Sequence, residues 1–211
     1  MASTVPRPLT VGFDLDMTLI DSRPGIAATY RALSARTGVP IDEALAVSRI
    51  GPPLETELAH WFPAEEVPAV ADRYRALYAT HAITPTGALA GALEAVAAVR
   101  ALGGRALVVT AKHGPSARLH LDHLGIEPDV LIGRLWAEAK GEALREHGAQ
   151  VYVGDHTGDV RGARAAGALS VAVPTGPCDA AELRAAGADV VLEDLTRFPA
   201  WLTAFEAGRA A

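Results

Sequence analysis

Two aspartates, Asp14 and Asp16, stand two positions apart where the apolar run of V-G-F-D-L-D-M-T ends. Alone they are ambiguous, because acidic residues also begin turns and Asp or Thr can cap a helix. Further along, A-L-V-V-T delivers Thr110, and V-Y-V-G-D-H-T-G-D delivers Asp155 and, after one turn, Asp159. Lys140 opens the helical pattern just before that last run. If these runs are strands of one parallel sheet, four carboxylates, a hydroxyl and a lysine converge on the rim at the strands' carboxyl ends, where such sheets collect ligands. Two like charges about 4 Å apart repel by roughly 4 kcal/mol at an effective dielectric near 20, so one lysine cannot balance four acids. A bound cation would, and hard oxygen donors select Mg²⁺ over zinc. The residue types divide the work of a phosphoryl-transfer site. One carboxylate can attack and split a difficult displacement into two steps. A second can move protons, an effect of roughly 10²–10⁴-fold. A lysine and a threonine can hold phosphoryl oxygens by charge and hydrogen bond.

The elements that must position these residues follow from alternating patterns. Apolar runs bounded by turn residues predict strands at Leu9–Asp14, Arg105–Thr110, Val130–Ile132, Gln150–Asp155, Ser170–Val173 and, as an edge, Asp189–Leu192. Helical patterns fall between them at Leu89–Leu102, Pro115–Leu124, Lys140–His147 and Asp159–Ala166, with later ones at Asp179–Ala186 and Pro199–Ala207. This alternation predicts an α/β fold, a Rossmann-like, mainly parallel sheet. The rhythm breaks once. The first two strands lie about ninety residues apart, far more than the dozen or so that a crossover needs. The intervening stretch shows four helical patterns, Pro24–Thr37, Asp42–Arg49, Leu54–Trp61 and Ala64–His81, and no convincing strand. It reads as a small all-helical domain of residues 23–84, inserted after the first strand into a core formed by residues 1–22 and 85–211.

Composition narrows the classes of function. Of 211 residues, 50% are hydrophobic and 21% charged, enough to bury a sizeable core. A net charge of −6, with arginines scattered singly or in pairs, offers no basic stripe for nucleic acid or acidic membrane surfaces. The single cysteine, Cys178, excludes a disulfide within the chain. The opening MASTVPRPLT has neither the charged start nor the apolar run of a secretion signal, and no segment approaches the roughly 20 apolar residues of a membrane helix. The expectation is a soluble, cytoplasmic protein, monomeric or homodimeric, acting on a small molecule. His120 and His123, three apart on a helical pattern, lack acidic or cysteine company and read as packing or surface residues. Trp61, Trp136 and Trp201 read as packing residues. His156, next to Asp155, reads as a residue that shapes its loop or contacts substrate.

Together these motifs resemble those of the haloacid dehalogenase superfamily, specifically phosphoglycolate phosphatase-like members with a helical cap. Its first motif, D-x-D-x-T, matches Asp14-Leu15-Asp16-Met17-Thr18, and its fourth, G-D-x-x-x-D, matches Gly154 to Asp159. The resemblance implies that Asp14 is nucleophile and Mg²⁺ ligand, and that Asp16 is acid/base with its main-chain carbonyl on the metal. It implies that Asp155 binds the metal directly or through water, and that Asp159 holds a metal-bound water. Thr110, with the amide of Ala111, would bind the phosphoryl group; Thr18 and Lys112 are further expected contacts, and Arg23 and Arg49 could reach the substrate from the cap. Two departures stand out. The second motif reads T-A-K where relatives often have T-N-K, and the third lacks the usual K-P-x-P run. The phosphate-binding lysine is therefore either Lys140 or Lys112, with Lys140 favoured. The implied function is Mg²⁺-dependent hydrolysis of a small phosphate monoester. A phosphosugar mutase is the first alternative; a 2-haloacid dehalogenase, which leaves Asp16, Asp155 and Asp159 without a purpose, and a non-catalytic binding module rank lower.

Overall fold

A computed structural model describes residues 8–210. Strands β1 (Thr10–Phe13), β4 (Arg105–Val109), β5 (Val130–Ile132), β6 (Val151–Gly154), β7 (Leu169–Ala172) and β8 (Val190–Val191) form one six-stranded sheet in the order β5-β4-β1-β6-β7-β8. Every pairing in it is parallel. The six predicted strands are these six. Two further strands, β2 (Ile20–Asp21) and β3 (Gly87–Ala88), form a short antiparallel pair that the sequence reading missed. Two residues carry no legible period, and their pairing depends on a partner more than sixty positions away.

Strand β1 lies at the centre, and all four of its residues are buried. A parallel strand covered on both faces has to be apolar throughout, which is why T-V-G-F reads as a continuous run instead of an alternation. Gly12 is required by packing: a Cβ there would stand 2.7 Å from Leu144 Cδ2 and 2.9 Å from the Tyr152 ring. Helices α5 (Ala92–Ala101), α6 (Gly114–Leu124), α7 (Lys140–Glu146), α8 (Thr157–Ala166), α9 (Ala180–Ala185) and α10 (Phe198–Ala210) flank the sheet. The main core joins Val11, Phe13, Val108, Val153 and Val171 to Val99, Leu121 and Phe198. On the other face, Leu107, Val109 and Tyr152 pack against Leu144 and Ala163.

Between β2 and β3 run α1 (Arg23–Thr37), α2 (Glu43–Ser48), α3 (Leu54–Leu58) and α4 (Val67–His81). Their apolar faces close on a separate cluster that includes Ile26, Tyr30, Leu33, Leu58, Phe62, Val70 and Tyr74. The β2–β3 pair ties the entry and exit of this segment together beside the sheet rim. No helix among the described residues is long and apolar enough to cross a membrane.

Candidate active site

The sheet register brings the predicted residues together. Phe13 is level with Val108 on one side and with Val153 on the other. Asp14 is therefore the first residue past the end of the central strand, while Thr110 and Asp155 each project one position further from the adjacent strands. The Asp14 amide donates to the Val153 carbonyl at 2.8 Å and anchors this end. The chain then turns sharply: the Leu19 and Ile20 amides both donate to the Leu15 carbonyl, and Met17 takes a positive φ of 59°. Helix α8 begins at once after β6. His156 caps it by accepting from the Gly158 amide at 3.0 Å, and Asp159 accepts from the His156 amide at 3.1 Å, so the cap itself orients Asp159. His156 is thus a loop-shaping residue, its ring packed 5.0 Å from that of Trp136.

Asp14, Asp155 and Asp159 offer carboxylate oxygens that all lie within 4.8 Å of one another, and all three residues are buried. Among the described residues, a single cation stands beside them. Lys140, with no exposed surface, lies 2.7 Å from Asp159 Oδ1, 2.8 Å from the Tyr152 hydroxyl and 3.0 Å from Asp14 Oδ1. The Tyr152 hydroxyl donates to the Val109 carbonyl at 2.7 Å, so it accepts from the lysine. Burial works against the ammonium charge, but the Asp14 and Asp159 carboxylates outweigh it and raise the Lys140 pKa. The acids are less well served. Burial, opposed by Lys140 and reinforced by the charges of Asp159 and Asp16, pushes Asp14 up to about 7. Burial and the charges of Asp159 and Asp14 push Asp155 well above the carboxylate range. Three buried carboxylates around one lysine form a group that could hold a metal ion.

Asp16 stands apart from this cluster. Its carboxylate faces Lys112, whose Nζ is 2.9 Å from Asp16 Oδ1 and donates to the Tyr78 hydroxyl at 2.8 Å. Tyr78 belongs to α4 of the insertion, and its hydroxyl also meets His120 Nε2 at 2.8 Å. His120 is fully buried, and burial together with nearby Lys112 lowers its pKa to about 4, so it is the neutral partner in this chain of contacts. The lysine pair that the sequence left open thus divides by geometry: Lys140 lies against Asp14, and Lys112 against Asp16.

The other expected residues spread out. Thr110 is buried at the rim, and its hydroxyl accepts from the Lys112 amide at 3.2 Å. Thr18 is fully buried and donates to Asp155 Oδ1 at 2.7 Å, so it orients an acid from beneath. Arg23 pairs with Asp21 through two contacts of 2.8 Å at the start of α1, half exposed to solvent. Arg49 lines a cavity of about 210 Å³ that opens between the insertion and the rim, with Asp16, Ala111 and Lys112 also in its wall. Its guanidinium is held by Glu57 at 2.6 and 2.9 Å.

The sequence reading missed Tyr152, Tyr78 and the loop after β7. Tyr152 was hidden inside an apolar strand; only its position two residues before Gly154, on the face of β6 toward α7, could have suggested a polar job. In the loop, Thr175 donates to the Met17 carbonyl, and Gly176 passes so close to Asp155 that a Cβ would meet its Oδ2 at 1.8 Å.

The comparisons with known proteins agree with this arrangement. The family described as haloacid dehalogenase-like hydrolase matches residues 11–173. A tyrosine-protein kinase, PtkA, of Mycobacterium tuberculosis is 34% identical over 183 residues, covering 80% of this chain; the chain spans only 63% of that relative's length. A phosphoglycolate phosphatase of Chromobacterium violaceum is 31% identical, with 88% of this chain and 92% of the relative covered. A haloacid dehalogenase-like hydrolase of Streptococcus pneumoniae shares the fold with a TM-score of 0.81 over 92% of this chain and 98% of its own, at 23% identity. With the match running from the strand that ends in Asp14 to the one that follows Asp155 and Asp159, the chain belongs to the haloacid dehalogenase-like hydrolase family.

Proposed function

We propose that the protein is a Mg²⁺-dependent phosphatase that hydrolyses a small phosphate monoester through an aspartyl-phosphate on Asp14. The observation that carries this reading is the buried cluster of Asp14, Asp155 and Asp159 around Lys140, set beside a separate acid, Asp16, on the cavity side. Relatives named as phosphoglycolate phosphatases support it. The chemistry uses two displacements. A carboxylate oxygen of Asp14 attacks phosphorus, the bond to the leaving oxygen breaks, and Asp16 gives that oxygen a proton. Asp16, now a carboxylate, takes a proton from water as the water attacks phosphorus, the bond to Asp14 breaks, and inorganic phosphate leaves. Lys140 and Thr110 hold phosphoryl oxygens during both steps.

The residues fit a hard divalent ion: all donors are oxygens, and three buried carboxylates beside one lysine are short of positive charge. Asp14, Asp155 and Asp159, with the Asp16 carbonyl, would hold it. When bound, Mg²⁺ offsets the negative charge of nucleophile and phosphate so that they can approach. In the same reading, residues 23–84 form a cap that excludes water, and residues 1–22 with 85–211 form the catalytic core. The relatives named as tyrosine-protein kinases suggest a different acceptor for the phosphoryl group; water is the acceptor favoured here, because the relatives matched along nearly their whole length are named as phosphatases.

The test is release of inorganic phosphate from 4-nitrophenyl phosphate with Mg²⁺. Chelation with EDTA should stop it and added Mg²⁺ should restore it; activity indifferent to chelator would defeat the metal assignment. The metal-free protein supplies a second reading. The folded pKa of Asp14, about 7, lies above its ordinary 3.8, so the folded state binds the proton more tightly. That contribution to stability is present at low pH and is lost as pH rises through 7. The melting temperature without metal should therefore fall as pH rises from about 4 to 7 and level off above 7, by a few degrees for each kcal/mol lost, and Mg²⁺ should flatten the slope. Gly176→Ala forces the loop away from Asp155. Turnover should drop by about 10²-fold, the scale of an ångström-sized misplacement, with a higher Mg²⁺ requirement; wild-type values for both would show that the loop does not support the site.

A further inference from the structure

The cavity that holds Asp16 is larger and differently charged than the relatives' names suggest. Its volume, about 210 Å³, exceeds the roughly 150 Å³ in which an engineered protein cavity holds a benzene ring. A two-carbon leaving group would leave most of it unfilled. The wall contributed by the insertion is largely apolar and aromatic, with Ile26, Tyr30, Leu54 and Tyr74 among its residues.

Three of the four cations in this wall are already matched. Arg49 is gripped by Glu57 through two hydrogen bonds, Arg75 is paired with Glu55 and with Asp72, and Lys112 stands 2.9 Å from Asp16. The fourth cation of the lining, Arg134, is exposed. A carboxylate brought into the cavity would lose its hydration and find each half-buried cation already occupied, an unfavourable exchange. The remaining polar groups suit a neutral guest. The Tyr30 and Tyr74 hydroxyls have no protein hydrogen-bond partner among the described residues, although both rings are buried, 4.9 Å apart. Burial raises the pKa of both, so they stay protonated and can donate. The buried Arg75 Nε also lacks an acceptor. Hydroxyl, ether or carbonyl oxygens satisfy such groups without adding charge.

We infer that the substrate's leaving group is a neutral, ring-sized alcohol bearing hydrogen-bonding oxygens, and not a short carboxylate-bearing one. This rests on the phosphatase reading for turnover, but not for binding. With Mg²⁺, ribose 5-phosphate, glucose 6-phosphate and phenyl phosphate are compared with phosphoglycolate, using 4-nitrophenyl phosphate as the generic ester. The best ring ester should exceed phosphoglycolate in kcat/KM by at least tenfold. Glu57→Gln takes the carboxylate from Arg49, and Glu55→Gln takes one of the two from Arg75; each should narrow that ratio by improving phosphoglycolate. Equal or better use of phosphoglycolate by the wild type overturns the inference, as does an unchanged ratio in both folded variants. If no ester is hydrolysed, the phosphatase reading fails separately. Calorimetric affinities of the Asp14→Asn variant for the same esters then decide: tighter ring-ester binding upholds the inference, and tighter phosphoglycolate binding overturns it.

Discussion

Asp14→Asn is expected to reduce turnover of 4-nitrophenyl phosphate by on the order of 10⁴-fold or more, the scale on which enzymes lose rate with their nucleophile. The amide keeps the size and shape of the side chain but cannot form the acyl phosphate. The variant also separates chemistry from folding. Asp14 is buried and its carboxyl is held near a pKa of 7, so its ionised form is poorly accommodated without metal. A neutral amide removes that burden above pH 7, while Lys140 retains its 2.7 Å contact with Asp159. The metal-free variant should therefore melt no lower than the wild type at pH 7.5. Lost activity with unchanged melting places Asp14 in the chemistry. A melting temperature lower by many degrees would mean that the fold had failed instead, and retained activity would remove Asp14 as nucleophile.

Lys140→Met should produce the opposite combination, loss of both stability and activity. Methionine fills much of the lysine's volume, but three buried carboxylates are left without a cation of the chain beside them. Removing one partner of a buried ion pair costs about 3–5 kcal/mol, or roughly 6–20 °C in a domain of this size. The Tyr152 hydroxyl and Asp159 each lose a hydrogen bond as well. Mg²⁺ should recover part of the stability because it supplies charge to the same oxygens, whereas the phosphate contact stays lost and activity with it. Lys112→Met is the informative contrast. Its ammonium serves Asp16 and Tyr78, away from the carboxylate cluster. Its loss should slow esters with poor leaving groups, which need a proton from Asp16, far more than 4-nitrophenyl phosphate, whose leaving group needs little help. Equal losses for both ester types would show that Lys112 does not position the acid. A thermal melt of each variant, with and without Mg²⁺, completes the comparison.

The sheet and the residues at its rim were legible in the amino-acid sequence. Strands buried on both faces must be continuously apolar, so T-V-G-F, A-L-V-V and V-Y-V-G announce themselves. The residue that follows each run is then placed by parallel register alone. Asp14, Thr110 and Asp155 were legible for that reason, as was Asp159, one helical turn beyond Asp155. The position of the helical insertion was equally plain, because about ninety residues separate two strands that pair side by side. Which partner each polar group meets emerges only when the chain has folded. Arg23 and Arg49 were natural substrate contacts by position, yet Asp21 and Glu57 hold them, and no local pattern encodes a choice of ion-pair partner. Lys112 and Lys140 were indistinguishable as residue types; their contacts depend on how α6 and α7 pack and on Tyr78 reaching across from the insertion. Tyr152 was invisible because a strand's period records burial and says nothing about a hydroxyl at the end of a ring. The first aspartate pair keeps its place at the centre of the site, but the fold sends its members to different company: Asp14 to the buried acids and Lys140, Asp16 to Lys112 and the cavity. Side chains two apart leave a strand and its turn in directions set by the backbone, and what waits there comes from elsewhere in the chain.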